Sequence, residues 1–497
     1  MENIKRALAV SILARGWSAA LGLLAVPIYL RSLGIEAYGV VGLFTSMSVL
    51  VGFLDLGLGA TLIRELASLS SHDDDLPRSR DVTRTFELAY GMIAVLLCVL
   101  GLVTASPLAQ HWIQIGELEQ QDVSHALALA SVALAVQWPS NLYSAGMAGR
   151  HLQTQLSLAT TLFATLRVFI TLMVVWSTPT LAGFFWAQIG AALLQTFGLR
   201  FLLWRSMADK RHQPAFRSSI LRHSMRFAGG MTGIAITSIA LTQADKLILS
   251  NALSLEEFGV YVVAGTLATG IYMLISPIFS IMYPRFSLLL QQQDNSKIVD
   301  LYHTSSQTLA LLVIPVTAVV AGFSENVLYI WTGNTPLSVQ GGWILSFLII
   351  GNACNGIMNM PYALQLAAGW TRLSFWMNVG AIVVLAPAIW WAAIHHGAAG
   401  GAAVWALLNL GYIVLTPHIM HRRLLPREKW SWYWADVLVP TLACIAALFI
   451  LSFLPMMGAS RPSIALTLLA YWALAALITA AFLPKVRKRA LMLTLAT

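Results

Sequence analysis

Stretches of about 20 mostly apolar residues recur from one end of this 497-residue chain to the other, and that is the length a helix needs to cross a hydrocarbon core. The chain is 58% hydrophobic and 10% charged, whereas soluble domains carry about 25% charged residues. Too little polar surface remains to cover a soluble core. The sequence therefore reads as an all-α integral membrane protein. Spans are expected near 7–30, 39–63, 85–107, 124–147, 156–177, 180–204, 227–250, 258–283, 304–330, 341–366, 374–394, 398–420, 433–455 and 463–483. That makes fourteen transmembrane helices, which puts both termini on one side.

Basic residues choose the side, because Lys and Arg are retained in cytoplasmic loops. With the N-terminus in the cytoplasm, 25 of the 30 basic residues fall in the inner loops and tails and two, Arg31 and Arg461, fall outside. The net charge of +9 then faces the inner leaflet. Nucleic acid is excluded as a partner, since no folded basic domain is present. The first apolar run contains Arg15 and continues past signal-peptide length, so no cleavable leader is expected. Cys98, Cys354 and Cys444 suit neither a disulfide framework nor a zinc site and read as packing residues. No glycine loop for nucleotides is seen, and no cofactor or metal is expected. The acidic run Asp73–Asp75 reads as a solvated loop face.

A repeat lies across the two halves. "RSLGIEAYGV" (Arg31–Val40) matches "NALSLEEFGV" (Asn251–Val260), pairing Leu33, Glu36, Tyr38, Gly39 and Val40 with Leu253, Glu256, Phe258, Gly259 and Val260 at an offset of 220. Ala148 and Gly149 match Ala368 and Gly369 at the same offset. The unit is six helices, an even number, so both copies enter the membrane in the same direction. Two-lobed transporters use such parallel repeats, with the substrate site between lobes near the midplane. The expected organisation is an N-terminal lobe (1–204), a cytoplasmic inter-lobe loop (205–226), a C-terminal lobe (227–421), and helices thirteen and fourteen with a basic cytoplasmic tail (422–497).

Ionisable groups at helix centre cost about 2.5–3.5 kcal/mol on insertion scales and normally face a partner or a wet cavity. Five stand out: Arg15, Asp55, Arg167, Asp245 and Lys246. Each continues a polar stripe at helical spacing. Helix ten adds Asn352, Asn355 and Asn359 on one side. Asp245 and Lys246 point about 100° apart on a helix and do not pair cleanly with each other. Two readings stand for the acids. In one, Asp55 bridges Arg15 and Asp245 is a structural ion; in the other, both take part in coupling. Arg167 and Lys246 lack an obvious counter-ion and are candidates for substrate. Three bases against two acids bias the interior positive, which suits an anionic cargo held by a guanidinium fork and an ammonium point charge. The Asn trio reads either as interhelical glue or as ligands for hydroxyl-rich groups. Trp138, Trp186, Trp376 and Trp405 lie deep enough to stack on sugar rings, with core packing the favoured reading. Prolines 139, 277, 315, 361, 387 and 417 permit kinks within spans.

"PIYLRSLGIEAYGVVGL" (Pro27–Leu43), "LDLGLGATLIRELA" (Leu54–Ala67) and "ADKLILSNALSLEEFGVY" (Ala244–Tyr261), in that order within a fourteen-helix layout, resemble the polysaccharide transport family of the multidrug/oligosaccharidyl-lipid/polysaccharide exporter superfamily, the Wzx-type O-antigen flippases. The resemblance implies a V-shaped alternating-access transporter in the bacterial inner membrane. It implies transfer of an undecaprenyl-diphosphate-linked oligosaccharide from the cytoplasmic to the periplasmic leaflet, coupled to H+ or Na+, with membrane lipids and polysaccharide polymerase machinery as partners. Cationic residues of the chamber, Arg15, Arg167 and Lys246, would hold the diphosphate or acidic sugars. Helices thirteen and fourteen would shelter the lipid tail. Two alternatives remain at this level: a multidrug or cation exporter of the same superfamily, which favours an acidic chamber and twelve helices, and a membrane polysaccharide ligase or polymerase, which needs catalytic groups in a sizeable outer loop.

Overall fold

The computed structural model describes residues 2–53, 55, 57–69, 75–207, 213–220, 222, 232–454, 458 and 460–488, with the backbone alone described for 2–12, 15, 53, 232–236 and 238–240. The described residues are almost wholly helical, as backbone groups in hydrocarbon must be satisfied within their own segment. Two compact units divide the chain, Met1–Gly259 and Val260–Thr497.

The first unit holds α1 (Glu2–Leu33), α2 (Ile35–Phe53), α3 (Leu58–Ser68), α4 (Leu76–Pro107, extended by a π turn to Trp112), α5 (Gln120–Gln137), α6 (Pro139–Gly149), α7 (Gln153–Ser177), α8 (Leu181–Ser206) and α9 (Thr232–Ala252). Helix α5 packs on α4 and α8, α7 on α1 and α8, α3 on α6, and α9 on α2. Leu62, Leu66, Phe86, Trp138, Leu142 and Leu199 form the buried centre where α3, α4, α6 and α8 converge.

Helix α10 (Leu255–Thr269) opens across the division, and the second unit continues with α11 (Tyr272–Gln291), α12 (Asn295–Gly322), α13 (Ser324–Thr332), α14 (Thr335–Ile357), α15 (Asn359–Ala367), α16 (Thr371–Leu424), α17 (Lys429–Ser452) and α18 (Arg461–Ala481). There α14 lies along α16 and α12, α11 packs on α12 and α15, and α17 and α18 both pack on α12.

Eleven helices are long and apolar enough to cross a membrane by length and composition among the described residues, so the chain is a multi-pass membrane protein. The helices depart from fourteen uninterrupted rods in a patterned way. The span expected over 39–63 breaks between α2 and α3, where Gly57 takes φ 83°, a left-handed conformation that favours glycine. The span over 124–147 breaks at Trp138, because Pro139 has no N–H to donate and starts α6 instead. The spans over 258–283, 304–330 and 341–366 are likewise each divided into two helices. Conversely, 374–394 and 398–420 fall within the single 54-residue α16. At 1.5 Å per residue such a rod would measure about 80 Å, far more than a bilayer core of about 30 Å. Gly397, at φ 59° and ψ −152°, breaks it, and a Cβ on Gly400 would strike the Ala392 carbonyl, so the chain reverses there.

The two repeat loops approach each other reciprocally within the first unit. A Cβ on Gly39 would lie 2.6 Å from the Leu255 carbonyl oxygen, and one on Gly259 would strike the Ile35 carbonyl. Ile35 and Leu255, like Gly39 and Gly259, are related by the offset of 220. The loop after α4 clamps the same region. Glu36 accepts from the backbone N–H groups of Gly116, Glu117 and Leu118 at 2.6, 2.9 and 3.1 Å, and the Leu255 N–H donates to the Gln114 carbonyl at 2.8 Å.

Candidate substrate-contacting sites

Arg167 lies about 21 Å along α7 from its start and about 15 Å from its end at helical rise. Its guanidinium is half-buried and donates to the Gln137 Oε1 on α5 at 3.2 Å and the Gln195 Oε1 on α8 at 2.9 Å. Both acceptors are neutral amides, and no carboxylate pairs with it among the described residues. One turn on, Thr171 is buried and accepts from the Gln188 Nε2 at 3.1 Å. Three helices thus hold a cation in the membrane with its charge uncompensated and its orientation set.

Asp55 occupies the break between α2 and α3. Its Oδ2 accepts from the Gly59 N–H at 3.0 Å, capping α3, and its Oδ1 accepts from the Tyr90 hydroxyl on α4. Tyr90 in turn stacks on buried Trp138 at 5.5 Å. The acid of the "LDLGLG" stretch therefore shapes a broken helix: from two residues before the Gly57 N-cap its carboxylate takes one of the free N–H groups of the first turn. The side chain of Arg15 lies outside the described residues, as does that of Ser238. On α9, Asp245 is buried and Lys246 half-buried. Lys246 makes no hydrogen bond or ion pair among the described residues.

The Asn trio belongs to the second unit. Asn352 accepts from the Trp405 Nε1 on α16 at 3.0 Å. Asn355 accepts from the Tyr272 hydroxyl on α11 at 3.1 Å and donates to the Asn409 Oδ1 at 3.1 Å. Asn359 donates to the Asn355 carbonyl at 3.0 Å. Asn352 and Asn355 thus join α14 to α11 and α16, and amide groups remain with further hydrogen-bonding capacity. Of the four tryptophans, Trp138 is fully buried, Trp405 half-buried, and Trp186 and Trp376 exposed. The hydroxyls of Ser18, Thr45, Thr160 and Thr171 donate to carbonyls four residues back, so these four hydroxyl protons are satisfied within their own helices.

Two charged clusters escaped the sequence reading. Glu87 on α4, with a side chain only 6% exposed, accepts from Arg84, Tyr143, Arg200 and Trp204 at 2.7–3.0 Å. In the second unit, His303 on α12 faces Asp436 at 2.6 Å and Glu428 at 3.0 Å, while Gln307 donates to Asp436 at 2.8 Å. With both carboxylates ionised, both ring nitrogens donate, which is the imidazolium form. Nearby, the Trp432 Nε1 donates to Ser306 at 3.2 Å, and Tyr302 meets His421 at 3.1 Å. Glu87 and Asp436 lie within three residues of an expected span end, where a charge reads as loop. Their position inside an apolar run was the signal.

An apolar groove of about 680 Å³ also lies in the second unit, between α12, α14, α16 and α17, lined by residues such as Ile314, Ala318, Ile357, Leu410, Leu438 and Phe449.

The model of the polysaccharide biosynthesis protein family matches residues 28–339. The chain belongs to that family. A Shigella flexneri protein named as a candidate O-antigen transporter is 20% identical over 381 residues, which is 76% of this chain and 88% of that protein. Among solved structures, the lipid II flippase MurJ in an inward closed conformation superposes with a TM-score of 0.75 at 12% identity, covering 95% of this chain and 98% of its own. An inward-facing multidrug resistance MATE family transporter gives 0.67 at 15% identity, covering 83% and 96%. At these identities the likeness establishes a shared fold.

Proposed function

We propose that this polysaccharide biosynthesis family member is a flippase. It moves a diphosphate-linked oligosaccharide lipid from the cytoplasmic to the periplasmic leaflet of a bacterial inner membrane by alternating access, coupled to an ion. The family match and the named Shigella flexneri relative support the cargo class. The observation that carries the chemistry is Arg167, a membrane guanidinium held by two neutral amides. An arginine has five N–H donors, and Gln137 and Gln195 take one each, so the fork retains both charge and donors for a phosphate. Lys246 supplies a second positive charge and Arg15 a third. Asn352, Asn355 and Asn359 meet the sugar hydroxyls, and Asp55 and Asp245 are the carboxylates through which a coupling proton or sodium ion acts. The apolar groove lined by Ile314, Leu438 and Phe449 takes the prenyl chain, which stays in hydrocarbon while the head crosses.

The test is leaflet transfer of defined lipid-linked oligosaccharides by the purified protein in vesicles, with surface polysaccharide in cells as the second readout. Arg167→Ala removes a charge-assisted contact of about 1.5–3 kcal/mol, so transfer should fall roughly ten- to a hundredfold at an unchanged protein level, with Arg167→Lys intermediate. Normal transfer by Arg167→Ala and by Lys246→Ala would overturn the assignment. Loss of drug resistance on deletion, with polysaccharide intact, would point to a drug exporter instead.

A further inference from the structure

A second cationic feature lies away from Arg167, where the start of α4 meets the end of α8. Arg80, Arg84, Arg200, Trp204, Gln213 and Pro214 line a cavity of about 440 Å³. The charges of the described residues around it do not balance. Glu87 is occupied by Arg84, Arg200, Tyr143 and Trp204, and Asp81 by the Arg217 Nε at 2.5 Å and the Ala215 N–H at 2.9 Å. Among the described residues, four guanidinium groups therefore share two carboxylates, an excess of two positive charges. Among the described residues Arg80 is the group without an acid: its guanidinium lies over Trp204 at 5.6 Å, and its Nε is buried with no hydrogen-bond partner there. A buried donor left unsatisfied is costly, and an acceptor entering the cavity would relieve it.

We propose that this cavity binds the phosphate of an anionic bilayer phospholipid, as a site separate from the transported cargo. Phosphate chemistry follows from the charge excess and from the arginine fork, which matches phosphate oxygens. The lipid source follows from position. The pocket lies at the ends of membrane helices, where basic pockets take headgroups and Trp favours the interface. Phe197 and Phe201 on α8 and Leu88 on α4, within a turn or two of the arginines, expose apolar surface against which an acyl chain can lie. The proposal does not depend on the flippase reading.

Arg80→Gln is the informative variant, because Arg80 takes no part in holding Glu87. Purified full-length protein in detergent would be titrated with phosphatidylglycerol, phosphatidylcholine, inorganic phosphate and farnesyl diphosphate, with thermal unfolding and lipid retention in native mass spectrometry as readouts. Phosphatidylglycerol should raise the melting temperature of the wild type. Arg80→Gln should bind it roughly fivefold more weakly, equivalent to ~1 kcal/mol for one arginine at an anionic surface. Arg80→Lys should restore part of the affinity, and phosphatidylcholine and inorganic phosphate should do little. Equal responses by wild type and Arg80→Gln, or an equal response to phosphatidylcholine, would overturn the proposal. Displacement of phosphatidylglycerol by farnesyl diphosphate at lower concentration, through Arg80, would assign the pocket to the cargo and equally overturn it. If Arg80→Gln does not fold, photoactivatable phosphatidylglycerol on the wild type decides. Labelling of the peptides bearing Arg80 or Trp204 supports the site, and labelling confined to other segments overturns it.

Discussion

Asp55 and Glu87 are both acids in apolar surroundings, yet their partners give them different work. Glu87 is shared by two arginines and held by four donors, so its charge is spent locally. Among the described residues Asp55 has neutral partners, the Gly59 N–H and the Tyr90 hydroxyl, so none of them cancels its charge. Asp55→Ala should lower stability by about 1–3 kcal/mol, the cost of stranding buried hydrogen-bonding groups. Tyr90→Phe should cost about 1 kcal/mol, and the double variant less than the sum. Thermal unfolding of the purified variants measures all three. If Asp55→Ala instead melts with the wild type while transfer is lost, the residue serves coupling alone and its capping role is overturned. At this scale the identities of the charged residues were legible in sequence, but their partners were not. Tyr90 and Gln195 carry no mark of the acid or base they meet.

Elements in this protein are defined as much by their interruptions as by their hydropathy. Gly57, Pro139 and Gly397 each end a helix that apolar composition alone would continue. Gly39 and Gly259 act through space instead, since each brings its helix against the backbone of the other repeat loop. Gly39→Ala and Gly259→Ala should each destabilise by about 1–3 kcal/mol through overpacking, and by similar amounts, as their environments are reciprocal. Gly16→Ala and Gly22→Ala, which would meet nothing within 4 Å, should not. A large difference between Gly39 and Gly259 in melting temperature would sink the reciprocal relation. His303 is the charged member of the α12–α17 contact, and Asp436 opposite it has a fully buried side chain. His303→Ala leaves that carboxylate without its cation and should cost about 3–5 kcal/mol, read as earlier melting and faster proteolysis near residues 425–429. Unchanged melting would show the pair to be dispensable.

Across the whole molecule, the basic residues should dictate orientation. With most Lys and Arg in alternate loops, the tail at Lys485–Lys488 is expected in the cytoplasm with the N-terminus. A cysteine placed there by Lys488→Cys should resist a membrane-impermeant thiol reagent in intact spheroplasts and react once they are lysed; labelling in intact cells would invert the topology. The structure adds two compact units, with α9 packed on α2 in the first. Such packing is set by which side chains meet, and hydropathy is blind to it.

Hydropathy determined from sequence alone that this chain is a multi-pass helical membrane protein, because burial in lipid acts on each segment separately. Where helices break and reverse, which acids are filled by tyrosine or arginine, and that His303 and Asp436 meet across 133 residues of chain were decided by tertiary structure. Those outcomes depend on distances between segments remote in sequence, and a pattern read along the chain contains no such distances.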